Sequence, residues 1–199
     1  MNSANLLADQ KRHLAGLLEA IQRCVYFLHA SDAAMTWPLT GDFLSEHKKD
    51  IDIFESLAAI HERFSKLQDT IGAAMRLSLL LSGERADSFI KILAIFEKNG
   101  VIGSIENWQV ARTARNLAAH DYEIEYSEVA QHFNALHLLK PDLYKTAGQF
   151  VRYAQQELGI APASADFSNE FAAVLAMPHK QSGLASPGES AGGPDAGLC

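Results

Sequence analysis

The stretch DIDIFESLAAIHERFSKLQDTI, residues 50–71, decides the fold. Ile53, Phe54, Leu57, Ile60, Phe64, Leu67 and Ile71 recur mostly at spacings of three and four, so one stripe of a 3.6-residue helix carries them all. The pattern predicts a long amphipathic helix that begins near Asp50, runs past Arg76 and ends before Gly83. Upstream, Leu6, Leu7, Leu14, Leu17, Leu18, Ile21, Val25 and Leu28 keep the same period from Ser3, a residue suited to an N-cap. Residues 31–45, with Trp37-Pro38 and Thr40-Gly41, interrupt it and read as a loop. Downstream, a third helix is expected over Asp87 to Lys98, stopped by Asn99-Gly100. A fourth follows Ser104 and carries Trp108, Val110, Leu117 and Ala118. A fifth is expected from near Ser127 to about Leu158, kinked or split at Pro141.

No run alternates with period two, and no repeat of 20 to 50 residues is present. The expected fold is therefore all-α: an up-and-down bundle of about five helices. After Gly159 the composition shifts to Ala, Pro, Ser and Gly. The expected division is a helical domain over residues 1–158 and a flexible, largely disordered tail over 159–199. Within that tail Phe167, Phe171, Val174 and Leu175 are expected to form no more than a transient helical turn.

Composition narrows the function classes. Hydrophobic residues make up 48% of the 199-residue chain and charged residues 21%, enough for a sizeable core and incompatible with global disorder. The longest apolar runs, such as Leu77 to Leu81, fall far short of a bilayer span, and no signal peptide pattern opens the chain. A cytoplasmic protein without membrane attachment is expected. The net charge of −7 argues against broad attachment to nucleic acid, so any such contact must be local. The tail contributes −3 of it, leaving −4 for residues 1–158. Cys24 and Cys199 read as free thiols.

Common catalytic patterns are missing: there is no phosphate-cradling G-x-x-x-x-G-K-[ST], no G-x-G-x-x-G after a strand, no H-E-x-x-H and no G-x-S-x-G. His132 and His137 are five residues apart and lie on different helical faces, which disfavours a shared metal. Neither a metal nor another cofactor is expected. One segment differs. Trp108-Gln-Val-Ala-Arg112-Thr-Ala-Arg115-Asn116-Leu-Ala-Ala-His120-Asp121-Tyr122 gathers an arginine, an amide, a histidine and a tyrosine at the end of a predicted helix. Asn116 and His120, four apart, share a face, so the amide can orient the imidazole. Arg115 and His120 are separated by roughly 140° on an ideal helix, so they meet only if the helix ends near His120 or the guanidinium curls round. A purely structural reading is also open: helix-end charge pairing by Arg115 and Asp121, a histidine on terminal carbonyls, and a packed Tyr122 ring.

Arg115, His120 and Tyr122 spell R-x4-H-x-Y, with Asn116 directly after the arginine, and this resembles the signature of the HEPN superfamily, in particular the HepT-like toxins. Glu62 to Gly72 resembles the family's long second helix, and Ser88 through Ile102 with Trp108 resembles the approach to its motif helix. The resemblance implies a bundle that homodimerises so that two motifs face one cleft, acting as a metal-independent endoribonuclease toxin of a toxin-antitoxin pair. Arg115 and His120 would be the catalytic residues, the first on the scissile phosphate and the second as general acid or base. Asn116 would support them. Tyr122 would be the position that a partner MntA-like nucleotidyltransferase antitoxin modifies with AMP. A second class stays open: a non-catalytic subunit of a nucleotidyltransferase that grips a nucleotide or a partner without cutting RNA.

Overall fold

A computed structural model describes residues 3–117 and 125–177. Within them the chain forms seven helices and no strand: α1 (Ser3–Ala33), α2 (Gly41–Glu46), α3 (Ile51–Leu81), α4 (Phe89–Lys98), α5 (Ile105–Leu117), α6 (Tyr126–Leu158) and α7 (Ser168–Ala176). The fold is all-α, as the periodicity requires. The three long helices contain 31, 31 and 33 residues, so at 1.5 Å per residue each is on the order of 45–50 Å long. α1 packs along α3, and α6 lies against both.

The core follows the sequence stripes. Leu14, Leu18, Ile21, Val25 and Leu28 of α1 meet Leu57, Ile60, Phe64, Leu67 and Ile71 of α3 in one buried cluster, joined by Leu136, Tyr144, Ala147 and Phe150 of α6. The α1 stripe becomes core only at Leu14, because Leu6 and Leu7 are exposed. Asp50 caps α3 by accepting a hydrogen bond from Ile53 N at 3.2 Å.

The expected loop at 31–45 differs in two ways. α1 continues to Ala33, and a short α2 follows. Thr40 caps α2 through Phe43 N, and what packs beside Gly41 explains why the first residue of the helix is a glycine. A Cβ at Gly41 would stand 2.8 Å from the Ser127 backbone, so α2 approaches the start of α6 too closely for a side chain. Asn134 of α6 holds the same segment, accepting from Leu39 N at 2.8 Å and donating to Leu39 O at 2.9 Å.

α6 is not split at Pro141; it runs continuously from Tyr126 to Leu158. An internal proline costs roughly 3 kcal/mol, and contacts in the turn before it help to offset that cost. Lys140 and His137, one turn apart, both donate to the buried carboxylate of Asp32 at the end of α1, His137 Nδ1 at 2.8 Å. Burial alone would raise the Asp32 pKa. The bonds from His137 and Lys140 outweigh it and hold the carboxyl below its ordinary range. Trp37 stacks on the His137 ring at 4.3 Å and donates from Nε1 to Asp32 O.

The boundary expected at residue 158 also shifts. Residues 159–177 are folded onto the bundle: Ala163 N donates to Ala15 O at 3.0 Å, and Phe171 and Val174 are buried. A Cβ at Gly148 would meet Leu175 Cδ1 at 2.7 Å, so that glycine opens the space on α6 that Leu175 fills. The apolar spacing from Phe167 to Leu175 thus belongs to a docked nine-residue helix, not to a transient turn. The expectation for residues 178–199 lies outside the described residues. Phe171→Ala should lower stability by about 3–5 kcal/mol, the range for a large buried aromatic. Chemical denaturation would check it, and a loss below about 1 kcal/mol would mean that α7 does not belong to the cooperative core.

Candidate functional site

α5 carries the described half of the R-x4-H-x-Y segment. Its first turn is held by Ser104, whose Oγ accepts from Asn107 N at 3.0 Å, and by Glu97 at the end of α4, whose Oε1 accepts from Ile105 N at 2.8 Å. Trp108 and Ala111 form its buried face. Arg115 continues that face, being seven and four residues further on.

Arg115 therefore points to α3 and not to open solvent: its side chain is only 12% exposed. Nη1 donates to Ser65 O at 2.9 Å, and Nη2 pairs with Asp69 Oδ1 at 2.8 Å. Nε is buried with no hydrogen-bond partner. The backbone takes part as well, because His61 Nε2 donates to Arg115 O at 2.9 Å. One residue is thus clamped to α3 by its side chain and by its carbonyl.

Asn116, the expected supporting amide, is exposed on the last turn of α5. His120 and Tyr122 lie outside the described residues. What the motif did not announce is a pair of imidazoles. His61 of α3 and His132 of α6 stand 5.8 Å apart, ring to ring, beneath the end of α5. His132 Nε2 is buried without a partner. Burial, and after it the proximity of His61, push the His132 pKa down to about 4, so the ring is neutral at pH 7. His132 and His137 sit in different environments, as their five-residue spacing requires, since His137 belongs to the Asp32 cluster. The His61–His132 pair was invisible in the sequence because 71 positions separate its members.

A cavity of about 160 Å³ opens beside the clamp, between α3, α4 and α5. Arg76, Arg112 and Arg115 line it with Asp69, an excess of two positive charges in a chain whose net charge is −7. Arg76 lies 4.4 Å from the Phe89 ring centroid. Gly72 permits this arrangement, since a Cβ there would come within 3.2 Å of Phe89. A second cavity of about 190 Å³ lies on the other side of Trp108, where Lys145 and Asp142 balance each other. Gln68 separates the two: it lines both, is 2% exposed, and donates from Nε2 to Trp108 O at 3.0 Å while Oε1 has no partner.

Among the described residues no group of three or more His, Cys, Asp or Glu side chains could hold a metal ion, and no helix is long and apolar enough to cross a membrane. No protein-family model, curated protein or solved structure matches the chain.

The His132 shift gives a pH signature. Its folded pKa near 4 lies below the unfolded value of about 6.5, so only the unfolded chain takes up the proton between those values. Stability should fall as the pH drops through that window, and the Asp32 contribution should be lost only below about pH 4. His132→Leu should flatten the first phase in thermal melts and leave the second. An unchanged slope between pH 6.5 and 4 would show that His132 titrates normally.

Proposed function

We propose that the chain is a HepT-like toxin: a metal-independent endoribonuclease that acts in the cytoplasm at a cleft between two copies. Arg115 is the observation that carries this reading. The motif arginine stands at the end of α5 with Nε unpartnered, beside two further arginines, in an otherwise acidic protein. The R-x4-H-x-Y pattern supports the same conclusion.

RNA supplies its own nucleophile. The 2′-oxygen attacks the adjacent phosphorus and loses its proton to a base, the bond from phosphorus to the 5′-oxygen breaks, and that oxygen leaves with a proton. The products are a 2′,3′-cyclic phosphate and a 5′-hydroxyl. His120 is the proton-transfer group, and the Arg115 guanidinium stabilises the dianionic phosphorane. Asn116 orients the histidine. An MntA-like nucleotidyltransferase antitoxin neutralises the toxin by placing AMP on Tyr122, which adds anionic bulk beside the cleft. Exposed Val110 on α5 and Ile90 on α4 supply apolar surface near the motif for the homodimer.

A second reading has its own support. Both Nη atoms of Arg115 are already engaged by α3, which suits a residue that fixes the fold of a non-catalytic subunit of a nucleotidyltransferase.

Cleavage decides between them. His120→Ala should lose about 10² to 10⁴ in rate with an unchanged circular dichroism spectrum. Arg115→Ala should lose cleavage and also about 1–3 kcal/mol of stability, because it breaks charged hydrogen bonds to α3. A folded His120→Ala protein that cut RNA at the wild-type rate would refute the catalytic assignment. Light scattering should report about twice 21.7 kDa. A monomer at micromolar concentration would remove the shared cleft.

A further inference from the structure

The cavity between α3, α4 and α5 contains more than a single phosphate-binding arginine requires. Its excess of two positive charges selects an anion. Arg76 is oriented by the Phe89 ring, Arg112 is exposed, and Arg115 keeps an unpartnered Nε. These are donors only. Gln68 adds the opposite demand: at 2% exposure its Oε1 accepts from nothing, because Nε2 is committed to Trp108 O. An ionised phosphate cannot satisfy an acceptor. A hydroxyl next to the phosphate can.

Size narrows the choice further. At about 160 Å³ the cavity is smaller than the roughly 300–1,000 Å³ of sites that enclose a whole small molecule. It suits one phosphate and part of a sugar, with the remainder of the ligand outside. In a nucleic-acid strand the ribose hydroxyl left free is the 2′-hydroxyl, which DNA lacks.

We propose that this cavity seats one phosphodiester of an RNA strand, a neighbour of the scissile one, on Arg76 and Arg112, while the 2′-hydroxyl beside it, which is not the attacking one, donates to Gln68 Oε1. The choice of a strand over a free nucleotide rests on the ribonuclease reading. Gln68 is then the residue that distinguishes RNA from DNA.

Binding tests this separately from cleavage. Full-length protein carrying His120→Ala, so that the probe stays intact, would be titrated into a fluorescein-labelled 12-nucleotide RNA and into DNA of the same sequence. RNA should bind about three- to tenfold more tightly, the range of one hydrogen bond. Arg112→Ala and Arg76→Ala should each weaken both probes by about tenfold and lower the salt slope by about 0.7. Arg112→Lys should recover part of the loss. Gln68→Leu and the more pliant Gln68→Met should bring RNA affinity down to the DNA value without changing the latter, with thermal melts confirming that each variant is folded. Equal wild-type affinity for the two probes, or affinities indifferent to Arg112→Ala and to both Gln68 variants, would overturn the proposal. Adenosine monophosphate competing as well as the RNA would overturn the strand assignment. Cleavage is read on protein with His120 intact. Variant-sensitive binding without cleavage would sink the nuclease reading and leave the cavity standing, and cleavage with variant-insensitive binding would do the reverse.

Discussion

The end of α5 is fixed to α3 by one residue acting twice. The Arg115 guanidinium reaches Ser65 O and Asp69, and the Arg115 carbonyl accepts from His61. A guanidinium 12% exposed would be costly without such partners, so its position is set by the α3 backbone and not by solvent. The candidate site is arranged around that clamp. His61 is drawn beside His132, Arg112 is brought with Arg76 to the same cavity, and Trp108 is pressed onto Gln68.

Two groups of buried polar atoms contrast in this fold. The buried Asp32 carboxylate has both oxygens occupied, by His137 and Lys140, and joins α1 to α6 as a structural fixture. At the junction of α3, α5 and α6, Gln68 Oε1, Arg115 Nε and His132 Nε2 are buried without partners. Each such atom costs about 1–3 kcal/mol. Native structures keep few of them, and those they keep call for an explanation such as a ligand or a catalytic role. Gln149 Oε1 of α6 is a further such atom, but the three that stand together around the motif helix are an argument for function there that does not depend on the motif.

The long helices were legible because their periodicity is local: the stripe from Ile53 to Ile71 contains its own evidence, and α3 lies where it places it. Continuity through Pro141 and the glycine that opens α2 were not legible, since the proline's cost is offset through Asp32, more than 100 positions away, and the need for a glycine comes from the Ser127 backbone. α7 showed the right spacing, but its stability comes from a gap above Gly148 that no local pattern reveals. At the site, the sequence singled out Arg115 and Asn116 and missed Arg76, Gln68, His61 and the pairing of His61 with His132. Those residues lie on other helices, and only packing brings them to the end of α5.

The chemistry proposed for that site leaves a mark on its product. Attack by the 2′-oxygen, with proton transfer by a protein side chain, needs no added metal and ends in a cyclic phosphate. The most direct measurement is therefore the chemical identity of the RNA ends made by wild-type protein in the presence of a metal chelator. Fragments with 2′,3′-cyclic phosphate and 5′-hydroxyl ends are expected, whereas intact RNA, or fragments with 3′-hydroxyl and 5′-phosphate ends, would contradict the mechanism.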